Sequence, residues 1–558
     1  MVINLNYNER FVVNYLNQNQ PDKLLDFAGV TQYLDLPFEV NYARQIDEDH
    51  QIEKDSVENY IHTIGELGSR YLRNIKLRNF PVWWITSIAE RNNRLHWGKL
   101  IFYFLEFWKK KPDLFKGNLT ILLPYNFGYL DRFIQENKPL SFEGNISFVQ
   151  PKKINTNSFI DQLKGLLRYI KFRSNLRGVN ISELTHKNIF FTPNYSAVNN
   201  NDISFDIGWQ KEKLTTEGQG ASLNLPIPNL GQINEYVFNN AEQNYFLKTS
   251  PKIISLVFHF IRAQFKYLCC VKLKIRSVKA NNVHFNGKLI GTEIFNCFSL
   301  LDNILIFLWL ENFSKSVEQI NIYYSDELYK SGRILSHFFT KNNHATIGVQ
   351  HGLITKNHTV YRLTEKETSG DNSIPLPSKL LIWNTLFGDV LGLTSNRLLE
   401  LIEYTNDAHY NKLIASVKEL KKSRTSYNRK KVLWATTLWP HFTIELNIIM
   451  PIFEHPDFDV TIRLHPLKRY INRDMVVEAL NGYKYQFSTN SYEQDLAEND
   501  FIIANSFSTV FYDALKLNQI VFRIENYGTI CDLDLESESV ISIDSMESLK
   551  KALGSIER

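Results

Sequence analysis

Between residues 319 and 545 the chain alternates short β-prone runs with stretches whose apolar residues recur at helical spacing. The runs fall at 319–324, 345–350, 379–383, 431–435, 458–464, 484–488, 500–504, 519–523 and 539–543. Most centre on three or more consecutive apolar residues, as strands buried on both faces of a parallel sheet read. Helices are predicted between them over 327–340, 387–391, 443–454, 472–481, 491–497 and 508–517, and another over 545–553 closes the chain. The predicted class is α/β, built from Rossmann-like units.

Upstream the pattern changes. Residues 1–115 read as mostly helical, with apolar residues near helical spacing over 56–77 and a buried helix over 97–108. Between these, Phe80-Pro-Val-Trp-Trp-Ile-Thr-Ser87 opens on proline and is crowded with aromatic residues, which favours strand or turn. Strands are predicted at 119–123, 146–149 and 188–191, and the polar stretch 196–235 reads as a long loop. The expected division is a helical region over 1–115 packed on the first Rossmann-like domain, and that domain over 116–395 with a basic helical insertion around 240–292. A charged helical linker over 396–430, a second Rossmann-like domain over 431–545 and a C-terminal helix over 546–558 complete it.

The 558 residues, 44% of them hydrophobic, are enough for more than one core. Residues 1–10 lack a charged head followed by an apolar run, and no segment offers about 18 charge-free apolar residues. Neither secretion nor membrane spanning is expected. Cys269, Cys270, Cys297 and Cys531 give neither a disulfide framework nor metal-ligand spacing, so a reducing cytoplasm is the expected setting.

The net charge of +4 conceals an uneven distribution. No acid lies between Glu242 and Glu293, where Lys248, Lys252, Arg262, Lys266, Lys272, Lys274, Arg276, Lys279 and Lys288 interleave with bulky apolar residues. A second acid-free run, 162–182, carries Lys164, Arg168, Lys171, Arg173 and Arg177. Basic helices of this kind fit the anionic headgroups of a membrane surface, or an acidic polymer. A solvated face of a core helix gives the same pattern. No nucleic-acid motif accompanies the bases, so nucleic acid is not an expected partner.

The candidate chemistry gathers where strands end. Asn505-Ser-Phe-Ser-Thr509 follows one strand and starts a helix, so Asn505, Ser506, Ser508 and Thr509 stand where free N–H groups and the positive dipole end hold an anion. Plain N-capping uses the same residues. Arg463-Leu-His-Pro466 ends another strand of the same unit; Pro466 restrains the turn that holds His465, and Arg463 and Lys468 add charge. Thr436 and Thr437 follow the unit's first strand, where a dinucleotide fold has its glycine-rich loop. Neither G-x-G-x-x-G nor a P-loop is present. In the preceding unit Asp326 and Glu327 follow one strand, and His351-Gly352 the next. A carboxylate or imidazole there can act as general base, while helix capping and a structural imidazole are the alternatives.

This order of motifs resembles bacterial surface-carbohydrate (capsule and lipopolysaccharide) glycosyltransferases of the GT-B fold. It is similar to the broad group of Kdo transferases, bacterial sialyltransferases and polysialyltransferases, and CDP-glycerol polymerases. The resemblance covers residues 319–545, with a weaker echo in Phe80-Pro-Val-Trp-Trp84. It implies two Rossmann-like domains facing across a cleft. It assigns the cytidine nucleotide to His465, Pro466, Ser506, Ser508 and Thr509, and a catalytic role to His351. The chain departs from the pattern in having Ser-Phe-Ser for paired serines, and in lacking an Asp-Asp-Gly or Glu-Asp-Gly motif.

The implied function is metal-independent transfer of a Kdo-like or sialic-acid-like sugar from a CMP-activated donor. The acceptor would be a surface glycan or lipid-linked glycan, and the setting cytoplasmic or peripheral on the inner membrane. No cofactor is expected, because helix dipole, hydroxyls and imidazole can receive a single departing phosphate. His351, Glu327 or Asp326 would be the base. The alternatives are a CDP-glycerol-type phosphotransferase, a UDP-sugar transferase or epimerase of the same fold, and a non-catalytic, membrane-docked assembly component.

Overall fold

The computed structural model describes residues 1–6, 9–28, 31, 36–47, 49–91, 97–123, 130–150, 159–175, 187–192, 222–226, 249–325, 328–356, 358–393, 395–422, 429–436, 442–465, 473–505, 508–524, 537 and 539–556. Within them the chain forms three parallel sheets, each with helices against it.

The first sheet contains β1 (Val2–Asn4), β2 (Lys23–Asp26), β3 (Glu39–Tyr42), β4 (Leu119–Leu122) and β5 (Ile146–Val149), in the order β3-β2-β1-β4-β5. The stretch 1–115, expected to be mostly helical, also supplies three strands to this sheet, and the runs at 119 and 146 join them. The strands were hidden because each has only three or four residues, with polar Asn4, Asp26 and Asn41 at positions where a buried strand is usually apolar. The helices foreseen here are present as α1 (Gln51–Glu66) and α2 (Trp97–Lys110). Phe27 makes edge contacts with Tyr103, Phe104 and Phe107 of α2, which seals the helix onto the sheet.

The central sheet holds β6 (Asn188–Thr192), β7 (Ser222–Pro226), β8 (Asn321–Tyr324), β9 (Ala345–Val349), β10 (Lys379–Ile382) and β11 (Ile402–Tyr404), ordered β11-β10-β9-β8-β6-β7. Two segments differ from expectation. Residues 222–226 of the anticipated loop form an edge strand on β6, and residues 402–404 of the anticipated linker form the opposite edge on β10. Both strands are short, and neighbouring strands supply the pairing that their own sequences do not signal.

The described part of the basic insertion holds helices together with an antiparallel strand pair at 278–280 and 283–285. α3 (Phe159–Asn175) precedes β6, and α4 (Ile253–Lys266), α5 (Gly287–Ser299) and α6 (Leu301–Ser316) lie between β7 and β8. α4 continues through a π turn and a 3-10 turn to Lys274. The whole segment Ile253–Lys274 is long and apolar enough to cross a membrane by length and composition. Arg262 and Lys266 interrupt it, so it holds no charge-free run of the kind that marks a span in sequence.

The third sheet contains β12 (Lys430–Ala435), β13 (Phe458–Arg463), β14 (Gln486–Phe487), β15 (Phe501–Asn505), β16 (Ile520–Ile524) and β17 (Val540–Ile543), in the order β14-β13-β12-β15-β16-β17. Numbered within the unit this is 3-2-1-4-5-6, the Rossmann order, whose reversal between β12 and β15 opens a ligand crevice. Side-chain alternation divides its core. Val432, Trp434, Phe501 and Ile503 fill one face, while Leu433, Ile502 and Ala504 belong to the large core shared with the other units. Helices α7 (Lys330–Thr340), α8 (Ala408–Lys422), α9 (Phe442–Glu454), α10 (Tyr492–Glu498) and α11 (Thr509–Lys516) frame the two later sheets.

Candidate active site

On the central sheet, β9 delivers Gln350, His351 and Gly352 to the carboxyl edge. Gln350 is fully buried, and its amide accounts for the shape of this turn. Nε2 donates to the Gly352 carbonyl at 2.8 Å, while Oε1 accepts from the Trp383 backbone N–H at 2.8 Å. The turn is thereby tied to the end of β10.

His351 lies half-buried with its ring 6.0 Å from that of Tyr329, edge-on. The Tyr329 hydroxyl is 2.5 Å from Nε2 of His358, whose Nδ1 is 3.3 Å from the Leu353 carbonyl. A carbonyl only accepts, so Nδ1 carries the proton and Nε2 accepts from Tyr329. Burial pushes the His358 imidazole down to about 3, which keeps it neutral. Tyr329 is thus oriented from behind, and it forms one wall of the His351 site. Glu90 accepts from the Lys330 N–H at 2.8 Å, so the first structural unit fixes the start of α7 beside this wall. Asp326 and Glu327 lie outside the described residues, next to the buried Ser325.

On the third sheet, three adjacent strands present the candidate donor residues. With strands roughly 4.8 Å apart, the ends of β13, β12 and β15 span about 10 Å. Thr436 is the tie between two of them: its N–H donates to the Arg463 carbonyl at 3.0 Å, and its Oγ1 accepts from the His465 N–H at 3.0 Å. Pro466, Lys468, Thr437 and Ser506 lie outside the described residues.

Arg463 has a different employment from the anticipated phosphate contact. Its guanidinium donates to Asp495 at 2.5 Å, and Ser488 donates to the same carboxylate oxygen at 2.5 Å. The guanidinium also lies over the Tyr492 ring, 5.3 Å from its centroid. Strand alternation puts Arg463 on the face of the sheet where α10 packs, within reach of Asp495 and Tyr492.

Asn505 ends β15 fully buried, its Nδ2 3.4 Å from Glu445 Oε1 on α9, and its carbonyl accepts from the Ser508 N–H at 2.9 Å. Ser508 caps α11, its Oγ accepting from the Val510 N–H at 3.3 Å, and its carbonyl accepts from Phe511. The capping function is therefore present. The cap takes up the Val510 N–H, while the positive end of the helix dipole remains at this turn.

The two edges meet. A Cβ built on Gly352 would lie 4.0 Å from Thr509 Cγ2, within ordinary van der Waals contact. His351-Gly352 and Ser508-Thr509, from different sheets, are thus opposite each other, and Gly352 has an ordinary negative φ. A methyl group would fit there, and a longer side chain would project toward α11.

Glu445, Tyr329 and His358 are site neighbours that motif reading did not find. Glu445 had a signal in hindsight, an acid in the first turn of the helix after the unit's first strand. Tyr329 and His358 had none, because their pairing is 29 residues long-range. Among the described residues no group of three or more His, Cys, Asp or Glu side chains is placed to hold a metal ion.

No protein-family model matches the chain, and no curated protein sequence does. Among solved structures it is similar to the wall teichoic acid polymerase TagF at 13% identity and a TM-score of 0.34, covering 71% of this chain and 88% of that one. A second TagF structure matches at 13% identity and 0.33, over 71% and 89%. The spinosyn rhamnosyltransferase SpnG matches at 10% identity and 0.30, over 66% and 92%.

Proposed function

We propose that the chain is a GT-B-type glycosyltransferase that moves an acidic, nonulosonic-type sugar from a CMP-activated donor to a hydroxyl of a glycan acceptor. The observation that carries the reading is the meeting of His351-Gly352 with Ser508-Thr509 at the carboxyl edges of two parallel sheets. Such an edge is where open α/β sheets bind ligands, and a crevice between two of them places donor and acceptor side by side.

In this reading the CMP phosphate sits at the start of α11, with His465 donating from the end of β13, two strands away. His351 takes the acceptor proton as the acceptor oxygen bonds to the anomeric carbon; the bond from that carbon to phosphate breaks, and CMP leaves with the electron pair. Asp326 and Glu327 are the other candidates for the base. The departing group carries one phosphate, and helix dipole and imidazole stabilise its charge without a metal ion.

The test is a donor series with CMP-, CDP- and UDP-linked substrates, run with and without chelator, reading nucleotide release and product mass. Turnover of CMP-sugars in chelator is the expected result. Turnover of CDP-glycerol alone would replace the sugar by a phosphoglycerol, turnover of UDP-sugars alone would overturn the cytidine assignment, and absence of nucleotide binding would overturn the reading.

A further inference from the structure

α3 and α4 each carry an apolar stripe that the fold leaves uncovered. On α4, Ile254, Phe258, Ile261 and Phe265 recur at steps of four and three residues, and all are exposed, Phe258 by 58% and Phe265 by 66%. Leu268 and Leu273 extend the exposed set beyond the helix. On α3, Leu163, Leu167 and Ile170 repeat the spacing and are also exposed. Steps of this size stack residues on one helix face, so each stripe is continuous.

The opposite side of the α4 segment is already packed through Leu256, Ala263, Tyr267 and Val271. Gln264 Nε2 donates to the Phe298 carbonyl at 2.8 Å, and the Tyr267 hydroxyl to the Gly291 carbonyl at 3.0 Å. Both anchors would be lost if the segment left the fold to span a bilayer. α3 and α4 both pack on α6, and the Tyr169 hydroxyl donates to the Pro251 carbonyl at 2.6 Å, so the two helices are neighbours.

Charge identifies what covers them. In α3 each stripe residue is followed at once by a base, as Leu163-Lys164, Leu167-Arg168 and Ile170-Lys171; α4 repeats this with Ile261-Arg262 and Phe265-Lys266. Lys272, Lys274 and Arg276 continue the exposed bases past the helix, and no acid intervenes between Glu242 and Glu293. An apolar stripe edged by bases matches a bilayer interface, where acyl chains receive the phenylalanines and anionic headgroups the bases.

We propose that α3 and the Ile253–Lys274 segment form one docking face that lies in the headgroup region of an anionic bilayer. The segment runs from the middle of α6, where Asn312 Nδ2 donates to the Thr249 carbonyl, toward its start, near Phe298. That start is tied to the carboxyl edge of the central sheet by Lys330 Nζ donating to Asn303 Oδ1 at 2.7 Å. The basic end of the face is therefore on the side of the sheet where His351 lies, which suits a lipid-anchored acceptor. The docking itself stands without the donor assignment, because nucleotide binding is measured with no lipid present.

The experiment is flotation of the full chain with phosphatidylcholine vesicles, with and without phosphatidylglycerol, at low and high salt. Binding should require phosphatidylglycerol and weaken with salt. Replacing Lys266, Lys272 and Lys274 by Gln should weaken it on the order of 100-fold, about fivefold per base. Replacing Phe258, Ile261 and Phe265 by Ser should abolish it with an unchanged melting temperature, since these side chains touch solvent. Equal binding to neutral vesicles, no binding at low salt, or full binding by the serine variant would overturn the proposal. So would a dimer that the serine variant splits while vesicles are ignored, because the stripe would then belong to a second copy.

Discussion

The side-chain amide of Asn384, just past β10 of the central sheet, donates to the hydroxyl of Tyr512 on α11 at 2.8 Å. The Tyr512 ring stacks on Trp383 at 6.0 Å and meets Phe387 and Tyr410 edge-on or tilted at 5.4 and 5.5 Å. Lys516, one turn further, pairs with Asp407 at 2.8 Å. The helix whose first turn faces Gly352 is thus fastened to the opposing unit through its middle and end, and this contact sets the separation of the two edges.

Truncating Tyr512 tests that arrangement. Tyr512→Ala empties a buried aromatic site and should cost about 3–5 kcal/mol of unfolding free energy, whereas Tyr512→Phe loses one hydrogen bond and about 1 kcal/mol. In denaturant titrations the two variants should separate by that margin. Under the proposed function, Tyr512→Ala should also lose turnover more than nucleotide affinity, because the third sheet keeps its own site while its partner edge drifts. Equal loss of both would mean that the contact only supports the donor unit.

His351→Ala examines the other edge. A general base contributes typically 10²–10⁴-fold, so kcat should fall by about that factor with the donor's Kd within roughly twofold. Tyr329→Phe breaks the link to His358 without emptying the wall, and its effect should be smaller, near tenfold on kcat. Unchanged kcat in His351→Ala would transfer the role to the Asp326-Glu327 turn.

The third unit was the most legible, because β12, β15 and β16 each hold a run of three or more apolar residues and helical spacing recurs between the strands. Its crevice followed from that, with His465, Thr436, Asn505 and Ser508 at adjacent strand ends. Of the first sheet only the runs at 119 and 146 were legible, since strands as short as Val2–Asn4 carry too few residues to show a period. Arg463 shows a different limit. Sequence placed it at the right strand end, but which way a side chain turns depends on a partner, Asp495, brought in from 32 positions away. His358 is beyond reach for the same reason.

Arg463 should consequently behave as a structural residue. Asp495 is buried, and Arg463→Ala leaves its carboxylate without its cation, at a cost of about 3–5 kcal/mol. Arg463→Ala with Asp495→Ala should recover part of the loss, which a double-mutant cycle measures. At temperatures where the single variant remains folded, its nucleotide Kd should be close to that of the parent. A large rise in Kd with intact stability would return Arg463 to the phosphate site.

Two buried groups give opposite pH dependences, and their signs separate them. Burial pushes the Asp513 carboxyl up to about 6 from its ordinary 3.8, although the Tyr492 hydroxyl donates to it at 2.5 Å. The folded chain therefore keeps a proton that the unfolded chain releases, so the stabilisation is complete below about pH 3.8 and is lost as pH rises through about 6. For His358 the folded value is lowered, from 6.5 to about 3, so the unfolded chain binds the proton first. Its contribution is complete above about pH 6.5 and is lost as pH falls toward 3. Asp513→Asn removes the first dependence alone. Its stability relative to the parent should climb between about pH 4 and pH 6 by on the order of 2–3 kcal/mol and then level off. His358→Gln, if its unfolding stays cooperative, should change relative to the parent in the opposite sense, gaining as pH falls below about 6.5. Denaturant melts at a series of pH values distinguish the two, and parallel curves for Asp513→Asn and the parent would show that Asp513 is ionised in the folded chain throughout.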